Sequence, residues 1–315
     1  MSSRRLYQSI SKELEFSKHG VISIPEISLK GPFYHETITI NKLSENEKVS
    51  LKWYDQLKSV CKEGIKKEII ENIVVHGSYG DLTFTNYSDL DLTVILSTET
   101  LTKNKLLLTF KRWFHKSLFP TILKIDPLQH HGVFYLWNEL IENYSQAILP
   151  IDVYRHAWAF KQVEIQFRYD KLGQNQSDNL SLITSKKLEL PKASFFKQGY
   201  SMYFMKQYLS NLMLLPAFYM TDIGKPTYKK DSFEPFYNEF KDLARPIEIA
   251  SNLRKEWPKT PSYFAHFASK LSTFPKLKSL RKVIYKNRRI ERTIKNEIIP
   301  NMPILTQGLK RKLQN

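Results

Sequence analysis

One cysteine, Cys61, is present in 315 residues, so no disulfide can form within the chain and a reducing compartment fits. No apolar run approaches the roughly 18 residues that a membrane-spanning helix needs. The first residues, Met1-Ser2-Ser3-Arg4-Arg5, lead into mixed polar sequence and not into the apolar stretch of a secretion signal. A cytoplasmic location without a membrane partner is therefore expected. Glycine is scarce, ten in all, and none falls in a Gly-x-Gly-x-x-Gly run. Gly77-Ser78-Tyr79-Gly80 lacks the Lys-Ser/Thr pair of a P-loop, and no Gly-x-Ser-x-Gly elbow, zinc-type Cys/His spacing or internal repeat is present. Those gaps exclude the common dinucleotide-binding, P-loop, serine-hydrolase and zinc-finger signatures. Acidic residues are also in short supply: 31 Asp and Glu against 48 Lys and Arg leave a net charge of +17. Such a balance attracts polyanions, although the abundance of Lys, Asn and Ile equally fits a base-composition bias that inflates lysine without a binding role.

What the chain does have is concentrated between Val74 and Leu96. Ile73-Val74-Val75 is a β-branched run that stops at Gly77, and Leu90 to Leu96 alternates before becoming continuously apolar, so both ends read as strands. Between them, Gly77, Gly80 and the polar, β-branched stretch from Asp81 to Ser88 suit a turn and a connector. Asp89 and Asp91 stand two apart at the mouth of the second strand, where residues i and i+2 share a face. Two carboxylates held that close repel unless a cation lies between them, and all-oxygen donors suit a hard one such as Mg²⁺. Gly77-Ser78 offers backbone N–H groups and a hydroxyl, which a phosphate chain needs.

A strand, Gly77-Ser78, ten intervening residues and then Asp89-Leu90-Asp91 on a neighbouring strand resembles the signature of the DNA polymerase beta-like nucleotidyltransferase superfamily. The match is close from Val74 to Leu96 and loose elsewhere. It implies an α+β fold, with a nucleotidyltransferase-type mixed sheet flanked by helices and followed by a helical C-terminal domain. It also implies a metal-dependent enzyme that moves a nucleoside monophosphate from a nucleoside triphosphate such as ATP to an acceptor hydroxyl, releasing pyrophosphate, with Mg²⁺ or Mn²⁺ as cofactor. On this resemblance Asp89 and Asp91 are catalytic metal ligands, and Gly77, Ser78 and Ser88 bind the nucleotide. The superfamily usually adds a third carboxylate in an apolar-Asp-apolar pattern, for which Ile125-Asp126-Pro127 and Ile151-Asp152-Val153 both qualify. Asp126 is favoured as the third catalytic and metal-binding group because it follows the expected helix directly and closes a strand. Asp152, after Pro150, reads equally as a helix N-cap.

The length suggests two domains: residues 1–175 as the catalytic domain with an N-terminal extension, and 176–315 as the helical domain with a basic C-terminal segment. Leu6 to Phe16 reads as helix, Val21–Ile24 and Glu36–Ile40 as extended, and Ser44 to Lys67 as one helix opened by a Ser44/Glu47 capping box. Thr100 to Phe119 reads as a helix that Pro120 ends, and Thr121–Ile125 and Gly132–Trp137 as strands on either side of Asp126–His131. At most one of His130 and His131 is expected in the site, because neighbouring strand residues face opposite ways. Ala193 to Met220 reads as helical. Asp231 or Ser232 reads as an N-cap, and the resemblance implies that Lys229, Lys230 and Ser232 contact the triphosphate; a plain capped helix with solvated lysines has the same pattern. Residues 276–295 read as a basic amphipathic helix, with Lys310-Arg311-Lys312 near the end of the chain, and could track the backbone of an RNA acceptor such as a tRNA end or form a solvated face. A small-molecule acceptor, or a catalytically inactive protein that binds nucleotide or RNA, are the competing readings.

Overall fold

The computed structural model describes residues 3–16, 21–24, 33–146, 148–170, 196, 199–272 and 280–314. The polar stretch Gly173–Asn179 and the boundary expected at 175 lie outside them. The fold is mixed α+β, with two small sheets and a helical C-terminal region. Contacts divide it into two units: Met1–Phe84, Ser88–Lys171 and Pro261–Pro275 form the first, and Thr85–Tyr87, Leu172–Thr260 and Lys276–Asn315 the second. No helix among the described residues is long and apolar enough to cross a membrane.

The first unit opens with α1 (Ser3–Phe16), β1 (Phe33–Ile40), α2 (Glu45–Ser50), α3 (Tyr54–Lys66), β2 (Asn72–His76) and β3 (Asp91–Ile95). It continues through α4 (Thr98–Thr102), α5 (Asn104–Trp113), α6 (Phe119–Ile125), β4 (Phe134–Leu136), α7 (Asn138–Ile141), α8 (Asp152–Arg155), β5 (Trp158–Ala159) and β6 (Val163–Asp170). The main sheet has the order β4-β3-β2-β5, and β1 pairs with β6 in a separate ribbon. β2 is antiparallel to β3 and β5, while β3 and β4 are parallel. The apolar run in β2 suits an inner strand covered on both faces, and all five of its residues are buried. On α3 the buried Leu57, Val60, Cys61 and Gly64 recur at helical spacing. The indole N–H of Trp113 donates to Val60 O at 3.2 Å and joins α5 to α3. Cys61 is fully buried, and that burial raises its thiol pKa to about 11.

Several local readings change. The capping box forms: Glu47 N–H donates to Ser44 Oγ and the Glu47 carboxylate accepts from Ser44 N–H. The single helix expected from Ser44 to Lys67 is nevertheless two, because Leu51 leaves helical geometry (φ −106°, ψ 84°) and sinks into the core. Pro120 does not end the next helical run. It occupies the first turn of α6, where a missing N–H leaves no bond unmade. A π turn at Phe114–Leu118 carries the chain from α5 into that turn. Thr121–Ile125 is consequently helix and not strand, with Thr121, Ile122 and Leu123 buried. The strand expected over Gly132–Trp137 shortens to β4, and Val21–Ile24 forms no regular element; Ile22 N–H donates to Leu101 O.

In the second unit α9 (Met202–Leu212) and α10 (Leu215–Asp222) take up the aromatic and methionine-rich run, followed by α11 (Phe233–Phe240) and α12 (Arg245–Lys255). The chain then returns α13 (Ser262–Ser272) to the first unit, where Ser269 Oγ donates to Pro120 O at 2.9 Å. The basic stretch expected as one helix over 276–295 is broken among its described residues: a 3₁₀ turn covers Leu280–Lys282, and α14 (Arg288–Thr293) starts afresh where Asn287 caps it. α15 (Met302–Gln314) ends the described chain. Tyr87 belongs to this unit through its hydroxyl, 2.9 Å from Lys206 O and 2.8 Å from Ser210 Oγ, and through its edge contact with Trp257.

If β2 is the core of the first unit, Ile73→Ala will lower stability by about 2–5 kcal/mol, the usual cost of such a truncation. Val49→Ala, at a position 83% exposed, will stay within about 0.5 kcal/mol of the parent. Equal shifts of the two variants in urea unfolding would contradict this assignment of the core.

Candidate functional site

β2 and β3 run antiparallel with His76 opposite Asp91, so the residue that leaves β2 meets the residue that opens β3. That residue is Gly77. Its φ is +64°, and a Cβ built on it would lie 2.4 Å from Asp91 Oδ2. Any larger residue would be strained there and would push the carboxylate aside. Gly77–Tyr79 forms one 3₁₀ turn, closed by Gly80 N–H to Gly77 O at 2.9 Å. A Cβ on Gly80 would meet the backbone of His76 and His156, each at 2.6 Å, so the turn has no slack on either side. Ser78 is half-buried in this turn and Ser88 is buried.

Asp89 and Asp91 come together as their spacing requires, and two histidines stand against them. His131 Nε2 is 3.2 Å from Asp91 Oδ1 and 4.0 Å from Asp89 Oδ2, and His130 Nδ1 is 3.2 Å from Asp89 Oδ1. The expectation of one histidine at most therefore fails. His130 and His131 lie outside any strand, ahead of β4 and with a bend at His131, so the alternation of a strand does not apply and both rings turn toward Asp89. Burial opposes charge on His131, but the hydrogen bond and charge of Asp91, with the charge of Asp89, outweigh it and raise the pKa to about 9. For Asp91, burial pushes the carboxyl upward and the His131 hydrogen bond overrides it, leaving the pKa below the ordinary value.

Gln129 is a positioning residue that the sequence reading did not single out. Its side-chain amide accepts from Leu90 N–H at 3.3 Å and donates to Leu90 O at 3.2 Å, gripping the backbone between the two acids. The flagged polar segment Asp126–His131 contained the signal, but the contact spans 39 positions and leaves no local pattern. Asp126 lies at the end of α6 and so does not close a strand. Its Oδ1 accepts from Leu128 N–H at 3.1 Å and its carbonyl from Gln129 N–H, shaping the turn that delivers Gln129, His130 and His131. Asp152 sits in the first turn of α8 beside Arg155. Among the described residues no three His, Cys, Asp or Glu side chains already form a metal-binding group.

The remaining expected nucleotide contacts lie in the second unit. Lys229, Lys230 and Ser232 form a 3₁₀ turn before α11, with Lys230 exposed. Ser232 occupies the N-cap position without a side-chain cap; its hydroxyl is buried and donates to Lys229 O at 2.6 Å. The N-cap expected of Asp231 or Ser232 is therefore absent as a side-chain bond.

Beneath the acids, His76 is 2% exposed and its Nε2 lies 3.1 Å from Thr93 Oγ1, which is 3.3 Å from the Tyr154 hydroxyl. Burial lowers its pKa to about 4, only partly countered by Asp91. The unfolded chain then binds a proton that the folded chain refuses between about pH 6.5 and pH 4, so His76 makes stability rise with pH across that window. His76→Gln, which keeps a hydrogen-bonding partner for Thr93, will flatten this acid arm by about 3 kcal/mol at most. Urea unfolding at pH 4, 5, 6 and 7 measures it, and parallel pH profiles for the two proteins would show that His76 is not held neutral.

No family model matches the chain, and no curated protein or solved structure shows significant similarity to it.

Proposed function

We propose that the chain is a nucleotidyltransferase of the DNA polymerase beta-like type, moving a nucleoside monophosphate from a nucleoside triphosphate to an acceptor hydroxyl with release of pyrophosphate. The observation that carries this reading is the β2–β3 register, which sets the Gly77-Ser78 turn directly against Asp91. A glycine that only a bare backbone can fill, beside a hydroxyl and two carboxylates, suits a triphosphate bound through its phosphates and a cation. The donor set fits one Mg²⁺ or Mn²⁺, since such ions are commonly held by one or two carboxylates and completed by substrate phosphates. Asp89 and Asp91 would hold it. When bound, it supplies charge neutralisation to the phosphates and a lowered pKa to the acceptor hydroxyl. The protein's own part is to fix the acids: Gln129 grips their shared backbone, and the missing Cβ of Gly77 leaves the space that the Asp91 carboxylate occupies.

A second reading, nucleotide binding without chemistry, draws on the histidines that engage both acids and on the absence, among the described residues, of a three-ligand metal group. The two separate in one assay. Incubation with each labelled triphosphate, Mg²⁺ or Mn²⁺, and either total RNA or a small-molecule extract will release pyrophosphate from the parent chain. Asp91→Ala will release none while keeping its circular dichroism spectrum. Nucleotide binding without pyrophosphate under any of these conditions favours the second reading, and full activity in Asp91→Ala removes the site from this turn.

RNA is the acceptor proposed here, on the charge of the C-terminal segment. Arg288 and Arg292 are exposed on α14, whereas Arg289 pairs with Glu256, Lys295 with Glu291 and Lys312 with Glu239. Log affinity for RNA will fall linearly with log salt, at roughly 0.7 to 0.9 per phosphate contacted. Exchanging Arg288 and Arg292 for Gln will flatten that slope by about two; adding Arg289→Gln will change it less, because Glu256 already neutralises that side chain. An affinity indifferent to salt would move the proposal to a small hydroxyl acceptor.

A further inference from the structure

We propose that His130 and His131 are ligands of the ion held by Asp89 and Asp91, making a mixed nitrogen–oxygen site that takes a transition-metal divalent ion such as Mn²⁺ in preference to Mg²⁺. The inference rests on the reading of Asp89 and Asp91 as metal ligands and goes beyond it in naming two nitrogen donors and the class of ion they select.

His131 carries the first part. Its Nδ1–H donates to Gly132 O at 2.8 Å, so Nε2 is the nitrogen turned toward Asp91 Oδ1 at 3.2 Å and Asp89 Oδ2 at 4.0 Å. Without a metal a proton bridges Nε2 and the Asp91 carboxylate, and a divalent ion would take that proton's place between the same atoms. Fixing one ring N–H on a backbone carbonyl so that the other nitrogen points at an anionic cluster is how metal-ligating histidines are oriented. His130 is an independent observation. Its side chain is 8% exposed, and Nδ1 is buried without a hydrogen-bond partner among the described residues, although Asp89 Oδ1 is only 3.2 Å away. The two atoms are close but out of line for a hydrogen bond, and a buried polar atom in that condition is costly. An ion shared with Asp89 removes the cost.

The spacings agree with a common ion. Donors about 2.0–2.2 Å from one metal lie about 3 Å apart when adjacent and about 4 Å apart when opposite. The three measured separations, 3.2, 3.2 and 4.0 Å, span that range. As they stand the side chains are paired and not closed into one sphere, so ligation requires side-chain rotations that draw the pairs around one ion. Imidazole nitrogen favours transition metals, whereas Mg²⁺ keeps oxygen ligands and water.

The test uses the full chain, stripped with a chelator and free of nucleotide. Calorimetric titration will give Mn²⁺ binding at least about tenfold tighter than Mg²⁺. Electron spin-echo modulation of the Mn²⁺ complex will show directly bound nitrogen, and the pattern will change when histidine is labelled with ¹⁵N. His131→Ala and His130→Ala will each weaken Mn²⁺ about tenfold or more while leaving Mg²⁺ affinity within about twofold. Bound Mn²⁺ without nitrogen modulation overturns the proposal and leaves the carboxylate pair standing. Mn²⁺ binding unchanged in Asp91→Ala overturns both. The parent spectrum decides nitrogen ligation by itself, so a variant that fails to fold does not blunt the result.

Discussion

Two carboxylates that converge on His131, Asp91 opening β3 and Asp89 just ahead of it, must be compensated, and the mouth of β2 and β3 is arranged around that requirement. His131 and His76 both neighbour Asp91, yet the pKa of the first is raised to about 9 and that of the second lowered to about 4. The difference is environmental. His131 points its Nε2 at the acids with its other nitrogen satisfied on Gly132 O, whereas His76 lies in the sheet interior with a Thr93 hydroxyl as its partner. Positive charge is thereby placed on His131 and kept off the buried His76.

The parts legible in the sequence are those fixed by near neighbours. β-branched runs marked β2 and β3, and Ser44 with Glu47 announced a helix start that the structure contains; Asp89 and Asp91 both approach His131, although only Asp91 lies in β3. What was illegible depends on distant contacts or on context that reverses a local rule. Proline ends helices when it falls in their interior, but Pro120 falls in a first turn, so a strand expected at Thr121–Ile125 became helix. That change also took Asp126 from a strand end to a helix end. The histidines were judged by strand alternation although they lie outside any strand, and Gln129 acts through a partner 39 positions away. The basic stretch near the end of the chain followed a helical period, yet Asn287 interrupts it by capping α14.

Division of the chain into consecutive blocks misses how its units are assembled. Thr85–Tyr87, in the connector between the turn and the acids, belongs with the helical unit, and α13 belongs with the first unit although helices of the second precede and follow it. The reason in the first case is one side chain: Tyr87 is 2% exposed, with its hydroxyl bonded to Lys206 O and Ser210 Oγ and its ring against Trp257. In the second it is the packing of α13 with α6, fixed in part by Ser269 on Pro120. Neither contact has a local sequence signature.

Cys61 gives the molecule an internal gauge. It is the one thiol in the chain, it has no exposed surface, and its raised pKa keeps the nucleophilic thiolate scarce at neutral pH. A thiol reagent can reach it only when α3 parts from the strands beneath, so the alkylation rate counts openings of that packing and is silent about the fraying of ends and loops. Because β2, which leads into the Gly77 turn, is packed against α3, the same clock reports on the floor of the candidate site without any probe being introduced.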